Sequence, residues 1–278
     1  MKTKNKKSLE LLGSKRRPKS DEPEPESPKA KAKTGSTKAP PKSVHPWRMC
    51  PYGEHWVKTH PLHVPPSRKF PNGHTTTRHE HCAHNTSGKD QLYPDEIRQI
   101  ARKNFSKLKN KPCPLPLGFG AKGSEYDDLI AGWVQYWNEV LKPTEPLDPN
   151  FVKALIATES GFDPNVLADK KNKNSARGLM QVTNDAREIL GDDDGEIKDH
   201  YISVTRDDLN DPSVNVCAGT RWLFQKKELL SHKLGRQATW IETVGKYKGT
   251  AKTTKERAKS LVDKFKKIYE DLQKCGKK

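Results

Sequence analysis

Ala154-Leu155-Ile156-Ala157-Thr158-Glu159-Ser160-Gly161, followed after a polar loop by Ala176-Arg177-Gly178-Leu179-Met180-Gln181, carries the strongest structural signal in this chain of 278 residues. Just upstream, Asp148-Pro149 sets an N-cap acid before a proline at the first helical position. The helix it starts runs through Phe151, Val152, Ala154, Leu155, Ile156 and Ala157. Residues apolar on most sides of a helix belong inside a domain, so this helix is expected to be central. Glu159 then falls in its last turn, with Gly161 placed as the terminating glycine.

Helical signals continue on both sides. Tyr126, Leu129, Ile130, Trp133, Trp137, Val140 and Leu141 form one stripe that Pro143 closes, and Asp211-Pro212 starts a further helix. Ala258, Leu261, Val262, Phe265, Ile268, Tyr269 and Leu272 make a last amphipathic stripe. No strand is needed to explain this half, and the fold class expected is mainly α.

Composition argues that one compact unit does not fill the chain. Hydrophobic residues make up 32% and charged residues 31%, at a mean hydropathy of -0.97. Residues 1–43 hold no aromatic residue and set Pro18, Pro23, Pro25, Pro28, Pro40 and Pro41 among lysines and acids, which reads as a disordered basic arm. A His/Cys-rich module follows at 44–108, including a helix from Pro94 to Leu108. Residues 109–123, with Pro112, Pro114 and Pro116, read as a linker, and residues 124–275 as the helical domain.

The net charge of +17 favours polyanionic partners, among them the anionic polymers of bacterial walls. Nucleic acid is the weaker expectation, because no aromatic stacking platform accompanies the lysines of the arm. No apolar run is long enough to span a bilayer. The basic start leads into no apolar core of a secretory signal, so synthesis in the cytoplasm is expected, with any work outside following lysis or specialised secretion. Five cysteines at 50, 82, 113, 217 and 275 do not read as a disulfide framework.

The chemistry centres on Glu159. The negative end of the helix dipole and partial burial both disfavour a charged carboxyl group there, and an acid kept protonated near neutral pH can protonate a glycosidic oxygen. A solvated glutamate at a helix end is the bland alternative. Its surroundings favour the acid. The Gly178 turn restarts structure with an apolar pair and an amide, Asn215 lies one turn from Gly219, which permits close backbone approach, and Tyr247 comes at a helix end.

Taken in order, Ala154–Pro164, Ala176–Gln181, Asn215 with Ala218-Gly219 and Leu223, and Tyr247 resemble the lytic transglycosylase domain of the soluble, goose-lysozyme-like type, over roughly residues 125–270. The resemblance implies a lysozyme-like helical catalytic domain and a single catalytic glutamate, Glu159. It implies cleavage of peptidoglycan between N-acetylmuramic acid and N-acetylglucosamine, with a 1,6-anhydro product and no catalytic cofactor. Gln181 and Tyr247 would position sugar and acid, Met180 would line the cleft, and Ser160 and Asn215 would support the substrate side. Two features depart from the family pattern. Lys248 stands where the family has asparagine after the tyrosine, and the family's signal peptide is absent. Phage lysis or a secretion machine fits the second. A hydrolytic muramidase on the same fold, or a non-catalytic wall- or nucleic-acid-binding protein, are the other readings.

In the N-terminal module, eight of the ten histidines fall between His45 and His84. Thiolate and imidazole suit zinc, and a structural zinc would hold a segment too polar for its own core. Cys50, His55, His81 and Cys82 are the candidate ligands. The alternative is a loop-rich segment with surface histidines. Trp47, Tyr52 and Trp56 could stack on sugars or form a small core.

Overall fold

A computed structural model describes residues 44–172, 174–249 and 253–275. The expected disordered arm, 1–43, lies outside the described residues. The elements run β1 (Glu54–Val57), β2 (His60–Val64), β3 (His74–Arg78), β4 (His81–His84), β5 (Gln91–Leu92), α1 (Pro94–Asn104), α2 (Lys122–Glu125), α3 (Asp127–Leu141), α4 (Pro149–Glu159), α5 (Asn184–Gly191), β6 (Tyr201–Ile202), α6 (Pro212–Leu234), α7 (Trp240–Tyr247) and α8 (Lys255–Cys275). The fold is mainly α, as expected for a lysozyme-like domain. Among the described residues no helix is long and apolar enough to cross a membrane.

The helix starts follow the sequence signals. Asp148 caps α4 by accepting from the Asn150 amide, and Asp211 caps α6 by accepting from the Val214 amide, each ahead of a proline. α4 lies at the centre, with Phe151, Val152, Ala154, Leu155 and Ile156 at most 1% exposed. α8 covers one side of it, where the Phe265 ring meets Phe151 at 4.7 Å and the Tyr269 hydroxyl donates to Asp148 at 3.0 Å. Each phenylalanine buried in this way contributes roughly 1.5–3 kcal/mol. α3 is latched to α6 by two indole donors, Trp133 to the Ser213 hydroxyl at 3.1 Å and Trp137 to the Cys217 carbonyl at 3.0 Å. Both indoles therefore satisfy their N–H inside the core.

Three expectations need correction. First, within the His/Cys-rich module at 44–108, expected to be small and irregular, residues 54–84 form a β-ribbon. β1 pairs antiparallel with β4 and β2 with β3, in register from Glu54↔His84 to Val64↔His74. β5 pairs parallel with β6, so a short strand does stand in the helical half. Their sequences, Gln91-Leu92 and Tyr201-Ile202, are too short to show a period.

Second, the segment 109–123 does not divide the described chain. The described residues from Val44 onward form one compact unit, and Leu92, Ile97, Ile100 and Phe105 share a core with Trp133, Trp137 and Phe151. The proline-rich segment is strapped to that core. Cys113 forms a disulfide with Cys275, its amide donates to Asn150 Oδ1 at 2.7 Å, and its carbonyl accepts from Lys153 Nζ at 2.6 Å. Buried Lys153 is paired with Asp127 at 2.9 Å.

Third, the zinc ligand set is not assembled. Cys50 and Cys82 are joined in a disulfide with S–S 2.02 Å and Cα–Cα 5.6 Å, which removes both thiolates from ligation. His55 Nδ1 bonds Asn85 and His81 Nδ1 bonds the His79 carbonyl. Among the described residues no group of three or more His, Cys, Asp or Glu side chains is arranged for a metal.

The disulfide and a buried charge cluster hold the ribbon instead. The Arg48 guanidinium donates to Glu96 Oε1 at 2.6 Å, to Asp90, and to the Glu54 carbonyl at 2.9 Å. Glu96, fully buried on α1, also accepts the Trp56 amide at 3.1 Å. Buried charges persist only when paired and hydrogen-bonded in this way. Trp47 packs on the Phe105 ring at 5.4 Å and Tyr52 donates to Asp199, so these two aromatics are engaged in the fold.

Candidate active site

α4 carries Glu159 out of the core at its last residue. Ser160 and Gly161 both return their amides to the Ile156 carbonyl, at 3.0 and 3.2 Å, and Gly161 adopts φ 61°, the left-handed end expected of it. Phe162, also left-handed at φ 65°, is 1% exposed and meets the Phe119 ring at 5.3 Å. A bulky residue adopts that backbone only where packing overrides the strain, so burial of its ring fixes the turn behind the acid. The Ser160 hydroxyl donates back to the Ile156 carbonyl at 3.3 Å. Ser160 thus tightens the helix end.

The loop after α4 folds back on the site. The Gly178 amide donates to the Val166 carbonyl at 2.9 Å, and Arg177 pairs with both Leu167 and Val182. Gly178 is required at φ 73°, because an added Cβ would lie 2.2 Å from Asn215 Nδ2. Asn215 splints the loop from α6. Its Nδ2 donates to the Arg177 and Leu209 carbonyls at 3.0 and 2.8 Å, and its Oδ1 accepts the Met180 amide at 2.8 Å. At 1% exposure, with amide hydrogens and carbonyl all engaged, Asn215 holds the loop and has no donor left for a sugar.

Met180 differs from expectation in the same way. Its side chain is fully buried against Gly219, where an added Cβ would come within 2.6 Å of it, so the thioether packs into the core against α6. Its backbone faces the site, since the Met180 carbonyl accepts the Tyr247 hydroxyl at 2.8 Å. Desolvation holds that phenol well above its ordinary range, and the charge of nearby Glu159 adds to the effect. Gln181, left-handed at φ 49°, donates through Nε2 to the Val166 and Gly178 carbonyls at 3.0 and 2.9 Å. Its side-chain oxygen is the part left to accept from a ligand.

Lys248 completes the site. Its side chain is 4% exposed, and its ammonium donates to Glu159 Oε1 at 2.7 Å and to the Thr158 hydroxyl at 2.8 Å. That hydroxyl in turn donates to the Ala154 and Leu155 carbonyls. The Glu159 side chain keeps 17% exposure. The structure therefore brings Glu159, Tyr247, Lys248, the Met180 backbone and the Asn215 splint together. The sequence marked Lys248 as a departure from the family pattern and gave no sign of the bond it makes to Glu159. Thr158 went unmarked. Nothing in spacing reveals that the ends of α4 and α7, 89 residues apart, meet.

No curated protein and no solved structure matches the chain. A protein-family model does, the Transglycosylase SLT domain, over residues 136–269, which includes Glu159 and every side chain joined to it here. The segment begins within α3 and ends within α8, so it spans the helices that carry the site. Residues 136–269 are a domain of the soluble lytic transglycosylase type, a family that acts on peptidoglycan.

Proposed function

We propose that the chain is a peptidoglycan lytic transglycosylase that cleaves the β-1,4 bond between N-acetylmuramic acid and N-acetylglucosamine, with Glu159 as acid and then base. The carrying observation is a partly exposed carboxyl group delivered by a core helix, whose ion-pair partner among the described residues is a lysine. In the first step Glu159 gives its proton to the glycosidic oxygen as the C1–O bond breaks, and the bond pair leaves with that oxygen. In the second, the muramoyl 6-hydroxyl oxygen bonds to C1 and its proton passes to the Glu159 carboxylate. The product is a 1,6-anhydro sugar, and the acid is regenerated without water. One carboxylate serves both steps, so the second one of lysozyme-type hydrolysis is not required.

Gln181 offers its carbonyl to a sugar hydroxyl, and Tyr247, tied to Met180, shapes the cleft beside the acid. The partner proposed is the glycan strand, and the charge of +17 supports attraction to anionic wall polymers. Two disulfides support action outside the reducing cytoplasm, after lysis or specialised secretion.

Purified oxidised protein incubated with sacculi, followed by mass spectrometry of the fragments, tests the reading. Anhydro ends are the expected outcome. Reducing ends would replace it with a muramidase, and unchanged sacculi would reject catalysis. Glu159→Gln is expected to abolish fragment release with an unchanged circular dichroism spectrum.

A further inference from the structure

We propose that Lys248 is a positioning residue for the acid, which selects the oxygen that donates the proton and stabilises the carboxylate left behind; this rests on the assignment of Glu159 above. The geometry is specific. The lysine side chain is nearly fully buried, and its ammonium reaches the carboxyl group at Oε1, at 2.7 Å. A second bond, to the Thr158 hydroxyl at 2.8 Å, anchors it to the residue before the acid. Thr158 is itself held by the Ala154 and Leu155 carbonyls, so the ammonium has a fixed seat on the last turn of α4. α7 delivers it, because the Lys248 amide closes that helix on the Val244 carbonyl at 2.9 Å.

Three consequences follow. With Oε1 occupied by a donor, the proton of the acid sits on Oε2, which has no partner among the described residues. As that proton moves to the glycosidic oxygen, negative charge develops on a carboxylate already facing a buried ammonium, and a charge-assisted hydrogen bond strengthens at that moment. When the 6-hydroxyl proton returns to Oε2, the contact weakens again. The ammonium exchanges no proton in the cycle. An asparagine at this position supplies no charge, so this chain handles the acid differently from the family pattern.

The test is the steady-state kinetics of the full oxidised chain on glycan strands freed of their peptides, for Lys248→Met, Lys248→Asn and Lys248→Arg beside the native protein. In the methionine variant kcat is expected to fall by roughly tenfold with KM within about twofold, because the charge acts on the carboxylate formed as the bond breaks. Arginine keeps the charge and is expected to restore most of the native kcat. Asparagine reads the same loss should the methionine variant fail to fold. Native kcat in both neutral variants would overturn the inference. Cleavage retained by Glu159→Gln would instead overturn the assignment of the acid, so the two failures are distinguishable.

Discussion

The β-ribbon and the helix ends around Glu159 are held together by different physics. Around the acid, apolar helices pack first, and polar groups then bridge elements that the core has already placed. Asn215 and Lys248 each connect segments whose helices are buried on their own account. In the ribbon the order is reversed. β2 and β3 bury almost nothing, and the base is fixed by a disulfide and by Arg48 between Glu96 and Asp90. A region built by packing tolerates loss of a polar bridge as a local defect. A region built from a staple and a charge cluster depends on those few groups.

Arg48→Met is the sharpest test of that contrast. It leaves two buried carboxylates without their cation and is expected to lower stability by about 3–5 kcal/mol, read by urea unfolding. A loss below about 1 kcal/mol would show that the ribbon has a core of its own. Next comes the double change Cys50→Ser, Cys82→Ser, which opens a loop of 32-residue separation. The oxidised protein is expected to lose about 3–4 kcal/mol, with fragment release from sacculi retained. Loss of cleavage at a temperature where the variant is still folded would join the ribbon to the site.

In the helical region, Asn215→Ala strands the Met180 amide and two carbonyls. We expect a loss of about 2–3 kcal/mol and a kcat that falls more than KM rises, because the loop beside the acid loosens. Tyr247→Phe is the smallest change. It removes one hydrogen bond, to the Met180 carbonyl, and is expected to cost about 1 kcal/mol in thermal unfolding.

The same contrast explains what could be read in advance. α4, α6 and α8 were legible because Asp148-Pro149, Asp211-Pro212 and the stripe from Ala258 to Leu272 are local patterns that the core confirms. The place of Glu159 at the end of α4 was legible because Asp148-Pro149 and Gly161 mark the two ends of that helix. The ribbon was not, since His-Pro-Leu-His-Val in β2 and His-Thr-Thr-Thr-Arg in β3, with Leu62 exposed, present no buried face to give a period. The disulfides were hidden by an odd cysteine count. Cys217 is buried and free, leaving partners 32 and 162 residues apart to be found only through the fold. Spacing put Met180 and Asn215 near the acid but could not say which way each side chain faces. Met180 turns inward and Asn215 binds backbone, so both shape the site from behind.

The parallel pairing of β5 with β6 bears on the order in which the chain assembles. A ribosome delivers the ribbon first, yet Asp90 meets His200 across 110 residues, and Gln91-Leu92 finds its strand partner only once Tyr201-Ile202 has emerged. Contacts so distant along the chain form slowly, because the intervening segment must be ordered before they stabilise anything. The first-made region is therefore among the last to be seated, and the helical half acts as the template on which it docks.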